Sequence, residues 1–359
     1  MRSRVITSHR AAAFLAPDHA PGLSADPSRQ LIEMAAALWK ARAVYAAARL
    51  ALADLIADGQ RTAQELARTT GMHAPSLNRL LRALGSCGVL TEAEPGCFAL
   101  TALGAALRTG APGAARATVL TLAGDWQWKA WDNFLYSLRT GQPALLEAYG
   151  QGLFEYLAAN PDDGARFNEA MIGMHGADGA AVAAAYDFSA IRNLVDLGGG
   201  TGALLAALLQ SNPHLRGTLL ELPETVPQAR RLLEAMGVSE RCDVQAGDFF
   251  KQVPADHDVY VLAHVLHDWT DEQATAILRK CRQAIPRHGR LLIIESVLPL
   301  GDTPHPGKMM DLLMLTITGG VERTAGEFAA VLAAAGFRLA RVIPTSTHQS
   351  IVEAGPEPE

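Results

Sequence analysis

Six short stretches in the second half of the chain carry residue types that could do chemistry together. Leu194-Val195-Asp196-Leu197 runs into Gly198-Gly199-Gly200-Thr201-Gly202, and Glu221 closes the run Leu219-Leu220-Glu221. Gly247-Asp248-Phe249-Phe250, His264-Val265-Leu266-His267-Asp268-Trp269, Glu295-Ser296 and Gly319-Gly320-Val321-Glu322-Arg323-Thr324 follow in order. A glycine loop between an apolar run and a helix is a nucleotide-type site: the backbone passes close to a ligand and the helix N-terminus offers oriented N–H groups. Gly198-x-Gly200-x-x-Ala203 also satisfies the dinucleotide fingerprint, with an acid about 20 residues on, so a nicotinamide-dependent oxidoreductase competes on this motif alone. In either protein Glu221 would accept both hydroxyls of a ribose. Asp248 and Phe249 could hold an adenine by hydrogen bonding and stacking. His264, His267, Asp268 and Asp271 could also suggest a metal cluster, but His264 and His267 lack a confirming third ligand at a known spacing, and no metal is expected.

These residues need a scaffold that brings them to one place. From Leu194 onward the pattern alternates strand and helix. Strands are expected at 194–197, 218–220, 242–245, 259–262 and 291–295, and helices at 203–210, 226–236, 271–284 and 325–335. That is a doubly wound sheet, in which strand C-termini open on one edge; Glu221, Asp248, His267 and Glu295 should all face it. The first third reads differently. An Ala/Leu-rich helical stretch at 29–58 precedes a helix-turn-helix, with Thr62 capping, Gly71 turning and Arg79 and Arg82 on the outer side of the second helix. A hairpin around Glu94, Pro95 and Gly96 follows as a wing. Between the two lies a helical segment, about 111–185, that gathers Trp126, Trp128, Trp131, Phe134, Tyr136, Phe154, Tyr156, Phe167, Met171 and Met174. Such a cluster is either ordinary core or the wall of a pocket for a flat apolar ligand.

Taken in order, LVDLGGGTG, LELP, GDFF, HVLHDW, ES and GGVERT resemble the S-adenosylmethionine-dependent small-molecule O-methyltransferases of the caffeic-acid and hydroxyindole type, with bacterial members in secondary metabolism. The resemblance runs over roughly residues 30–352. It implies an α/β fold: a Rossmann-like class I methyltransferase domain preceded by an α-helical, winged-helix-like dimerisation domain. It implies Gly198 and Gly200 against the methionine part of the cofactor, Glu221 on the ribose, and Asp248 and Phe249 at the adenine. His267 matches the family's general base, Glu295 and Glu322 the acids flanking it, and Asp268 the residue after it. Phe167, Met171 and Met314 match substrate-pocket positions. One departure is visible: relatives carry a basic cofactor contact three or four residues before the base, where this chain has Ala263 and His264, so His264 is the candidate substitute.

The implied reaction is methyl transfer to a hydroxyl of a small aromatic molecule, giving S-adenosylhomocysteine; N-methylation on the same fold is the alternative. Glu295 or Glu322 would orient the imidazole, as in a hydrolase triad without a covalent step. The whole-chain balance agrees. A formal charge of −6 argues against a phosphate backbone or an anionic membrane as the main partner, so the helix-turn-helix is expected to dimerise the chain rather than bind DNA. Apolar runs fall short of the ~20 residues that span a bilayer, and the four cysteines form no CxxC pair, as expected of reduced thiols in a cytoplasmic protein. The expected divisions are an arm at 1–28, the dimerisation domain at 29–110, a linker and pocket segment at 111–185, the methyltransferase domain at 186–352 and a flexible tail at 353–359.

Overall fold

The computed structural model describes residues 26–358, and these form two compact units. One comprises residues 26–133 and 147–176; the other comprises 134–146 and 177–358.

In the first unit a helix begins at Pro27, with Asp26 accepting the Ser28 N–H as its cap, and runs to Arg49. The helix takes in Pro27 and Ser28, which the expected arm at 1–28 had included, and the rest of that expectation, residues 1–25, lies outside the described residues. This helix buries only Ala47 and Ala48, while Leu31, Ile32, Met34, Leu38 and Trp39 are exposed, Trp39 at 70%. The expected helix-turn-helix is present. Thr62 and Glu65 make a capping box at the start of Ala63–Thr70, Gly71 turns the chain in the left-handed region, and Ala74–Ser86 follows. Strands β1 (Arg61–Thr62), β2 (Leu90–Glu94) and β3 (Cys97–Leu100) form the wing, in the order β1-β3-β2. Leu66, Leu77, Leu81, Leu84 and Phe98 are its core. The aromatic segment is divided between the units. Trp126 and Tyr156 are buried here with ring centroids 5.7 Å apart, and Tyr149 stands edge-on to Tyr156 at 4.8 Å, so this part of the cluster is packing.

The second unit is built on one sheet. Its parallel strands are β4 (Asn193–Leu197), β5 (Arg216–Glu221), β6 (Cys242–Ala246), β7 (Val259–Ala263) and β8 (Arg290–Glu295). A short pair, β9 (Val297–Leu298) and β10 (Arg323–Thr324), stands apart from it. Antiparallel β11 (Phe337–Pro344) and β12 (Ser350–Pro356) complete the main sheet in the order β11-β12-β8-β7-β4-β5-β6. The expected flexible tail at 353 is corrected here. β12 is inserted between β11 and β8, and Glu353 and Ala354 are buried with backbone partners on both sides. Its inner residues Ile351 and Val352 are too apolar to stay in water. Apolar clusters cover both faces, one around Tyr260, Ile277 and Phe328 and the other around Leu194, Leu205 and Leu219. Strand order reverses between β4 and β7, and a doubly wound sheet opens its crevice at the carboxyl ends of such a pair. The glycine loop leaves β4 there, and the histidine segment leaves β7.

Candidate active site

Each glycine of the loop after β4 has its own reason. Gly198 and Gly200 take φ of 70° and 57°, where other residues are strained, and Gly202 starts helix Ala203–Ser211 at φ 80°. A side chain on Gly198 would meet Phe249 Cε1 at 3.1 Å, so the ring expected to hold an adenine stands beside the loop. Glu221 ends β5 beneath the loop. Its Oε2 accepts the Gly200 N–H at 2.7 Å and its Oε1 accepts the Leu222 N–H at 2.7 Å, leaving lone pairs on both oxygens for a diol. Burial pushes this carboxyl above the usual range, and the two N–H groups oppose it. Asp248 caps its own turn by accepting the Phe250 N–H at 2.9 Å, with Lys251 at 3.3 Å. Asp196 was not singled out from the sequence. It is buried beneath Gly199, both of its oxygens lack a hydrogen-bond partner, and burial followed by the nearby Glu221 raises its carboxyl to about 7.

Leaving β7, His264 sits at φ 54°, a region few residues other than glycine adopt. Its Nε2 lies 3.0 Å from Asp178 Oδ2 at the start of helix Asp178–Ala185, so that nitrogen is committed to a carboxylate. One turn later, residues Leu266–Asp268 carry the buried His267, its ring 5.8 Å from that of His264.

The two glutamates beside His267 have different tasks. Glu322 Oε1 lies 2.8 Å from Nδ1, which orients the imidazole and leaves Nε2 as the working edge. Glu295 does not bond the ring. Its Oε1 accepts the backbone N–H groups of Val265, Leu266 and His267 at 3.2, 2.6 and 3.1 Å, so it holds the turn on which the ring stands. Burial would lower the imidazole pKa, but the Glu322 bond and the charges of Asp268, Glu322 and Glu295 outweigh it and hold it above the ordinary value. Burial pushes Glu295 up to about 7 and the half-buried Asp268 up to about 6.

The glycines of GGVERT let Glu322 arrive. Gly319 closes helix Gly307–Ile317 at φ 77°, its N–H donating to Met314 O at 2.8 Å. A Cβ on Gly320 would lie 1.9 Å from His267 O, so only glycine passes there. The next residue, Val321, donates its N–H to that same oxygen at 2.9 Å. Asp311 accepts the Glu322 N–H at 2.9 Å. Arg323, also missed from the sequence, is fully buried against the same turn. Met314 is buried on helix Gly307–Ile317, whereas Phe167 and Met171 lie half-buried on helix Pro161–His175 of the other unit.

A nucleoside cofactor with a cationic centre suits these groups. The loop has room only for backbone beside Phe249, Glu221 offers two acceptor oxygens, and the carboxyls of Asp268, Glu295 and Glu322 gather around His267. Comparison with known proteins gives the same answer. Residues 131–338 match the family described as O-methyltransferase domain, and residues 32–110 match the O-methyltransferase dimerisation domain. The phenazine O-methyltransferase PhzM of Lysobacter antibioticus is 46% identical over 91% of this chain and 95% of its own. The crystal structure of LaPhzM superposes with TM-score 0.89 at 45% identity, covering 92% of this chain and 99% of that one. An O-methyltransferase from neocarzinostatin biosynthesis, solved with S-adenosylmethionine and 2-hydroxy-5-methyl naphthoic acid, has TM-score 0.78 at 39% identity over 88% and 96% of the two chains. The dinucleotide reading of the glycine loop falls with these matches. Among the described residues no helix is long and apolar enough to cross a membrane. The chain belongs to the S-adenosylmethionine-dependent O-methyltransferase family.

Proposed function

We propose that this enzyme methylates a hydroxyl of a flat, largely apolar aromatic acceptor, with His267 as the general base. The observation that carries the reading is the buried His267–Glu322 couple at the carboxyl edge of β7, beside a glycine loop suited to the cofactor. S-adenosylmethionine, when bound, supplies an activated methyl group on a sulfonium. In the proposal Gly198 and Gly200 lie along its methionine part, Glu221 takes the ribose hydroxyls, and Asp248 and Phe249 take the adenine. Alignment of acceptor oxygen, methyl carbon and sulfur supplies much of the rate.

The base completes it. A phenol with pKa near ~10 is mostly protonated at neutral pH and is a weak nucleophile. Glu322 makes His267 a stronger base than free imidazole, which brings it closer to the phenol's own pKa and favours proton transfer as the carbon–oxygen bond forms. Glu322 then stabilises the imidazolium, and Glu295 keeps the turn from moving. Met314 is the proposed acceptor contact of this unit.

The names of the relatives point to acceptors of this kind, so a monohydroxyphenazine and 3-amino-4-hydroxybenzoate are the first to test. Each should gain one methyl mass by mass spectrometry, on oxygen by carbon NMR. His267→Ala should abolish this while binding S-adenosylhomocysteine with affinity within about threefold of wild type. Methyl transfer to oxygen at near wild-type rate in that variant removes His267 as the base, and a product methylated on nitrogen removes the hydroxyl assignment. The chain is also proposed to be a homodimer through the first unit, because helix Pro27–Arg49 leaves Leu31, Ile32, Met34 and Trp39 in water in the region matched by the dimerisation family.

A further inference from the structure

We infer that Arg323 is a positioning residue that sets the geometry of the His267–Glu322 couple by clamping its two supporting segments with one guanidinium. Arg323 ranks among the bulkiest fully buried side chains, 1% exposed, in a chain where a buried arginine needs an explanation. All three of its nitrogens are used. Nε donates to Asp271 Oδ1 at 2.9 Å, Nη2 to Trp269 O at 2.9 Å, and Nη1 to Leu266 O at 2.9 Å and Val321 O at 3.3 Å.

The partners define what is being held. Leu266 and Trp269 bracket His267, so two of these bonds grip the turn from which the imidazole projects. Val321 precedes Glu322, so a third grips the segment carrying the carboxylate. Asp271 begins helix Asp271–Ala284 and fixes the guanidinium from the far side. Arg323 is itself pinned, since β10 pairs in parallel with β9, two residues beyond Glu295. A planar fork with five donors in fixed directions is the side chain suited to register carbonyls on two segments; a lysine carries the charge without the fork. Burial of such a charge stabilises the fold little, because desolvation offsets the gain, and what it supplies is a fixed geometry.

This inference rests on His267 acting as the base, and the experiment separates the two. Arg323→Lys and Arg323→Ala are made beside His267→Asn. All are read by melting temperature, calorimetry with S-adenosylhomocysteine, turnover of a monohydroxyphenazine, and NMR titration of the His267 imidazole. In Arg323→Lys we expect cofactor affinity within about threefold of wild type and a kcat loss on the order of 100-fold, the penalty of a displacement near 1 Å. KM should change less than about threefold, and the His267 titration should fall by a pH unit or more as Glu322 loosens. Added guanidinium should restore at least tenfold to Arg323→Ala. If that variant does not fold, Asp271→Asn loosens the same clamp from its exposed end and should lower the imidazole titration with cofactor binding retained. An unchanged imidazole titration and unchanged kcat in Arg323→Lys overturn the clamp. Near wild-type turnover in His267→Asn overturns the base reading instead, whatever Arg323 does.

Discussion

Glu322→Gln tests the chemistry most directly, because it keeps shape and hydrogen-bonding capacity while removing the charge. Glu322 and His267 are both buried and 2.8 Å apart, so water screens their interaction little. A hydrogen bond to a charged group contributes about 1.5–3 kcal/mol, and two charges about 4 Å apart at an effective dielectric near 20 interact by about 4 kcal/mol. The imidazolium therefore loses roughly 2–4 kcal/mol. At about 1.4 kcal/mol per pKa unit, its pKa falls by about 1.5–3 units. The sign follows from the role. A base acts when neutral, and Glu322 raises the pKa, so wild-type turnover should climb with pH from neutrality into the alkaline range. In the glutamine variant that limb moves to lower pH. Its plateau also drops: if about half of the lost stabilisation is felt in the transition state, kcat falls about 5- to 30-fold. The deficit narrows below neutrality, where wild-type His267 is mostly protonated. The assay is kcat against pH from 6 to 9 with saturating S-adenosylmethionine and a monohydroxyphenazine, with cofactor binding checked by calorimetry. A limb that stays in place or moves upward, with cofactor affinity intact, refutes the role given to Glu322.

Three further variants probe the site and the dimer contact. Asp196→Asn removes a buried carboxyl that ionises near pH 7; because its folded pKa is raised, the charge disfavours the fold as pH rises from ~4 through 7. The variant should melt higher relative to wild type at pH 8 than at pH 5, by a few degrees, and equal differences at both pH values would count against the unpartnered charge. Gly320→Ala should lose more than about 100-fold in kcat or fail to fold, since its Cβ collides with His267 O; a soluble variant with ordinary kinetics would contradict the close approach. Leu31→Glu combined with Trp39→Glu should shift the mass seen by light scattering from about twice 38.1 kDa toward the single chain, and an unchanged mass would move the dimer contact elsewhere.

Much of this site was legible because a parallel sheet places chemistry at strand ends, so the glycine loop, Glu221, Asp248 and His267 could be put on one edge from alternation alone. What escaped has physical causes. Spacing cannot tell which acid touches a ring and which holds a backbone, so Glu295 and Glu322 are equivalent in sequence and differ only in what their oxygens touch. Arg323 received no role from the sequence, because nothing local announces its three backbone carbonyl partners and the Asp271 carboxylate. Asp196 passed as part of an apolar strand. β12 passed in part as a tail because its partners, β8 and β11, are set by the sheet and not by neighbours in sequence. For Trp126 and Tyr156 composition left core and pocket wall open, and their packing makes them core.

The grip of Glu295 on three successive amides has a last consequence. Consecutive N–H groups converging on one oxygen make a small anion receptor, and here the guest is tethered to its host. A tether of this kind acts as a local concentration far above that of free solutes. Glu295→Gly would leave the receptor vacant with a cavity the size of a small carboxylate, and formate or acetate at millimolar concentration should then complement the defect. The histidine turn would thereby become an enzyme element switched on by a simple dissolved salt.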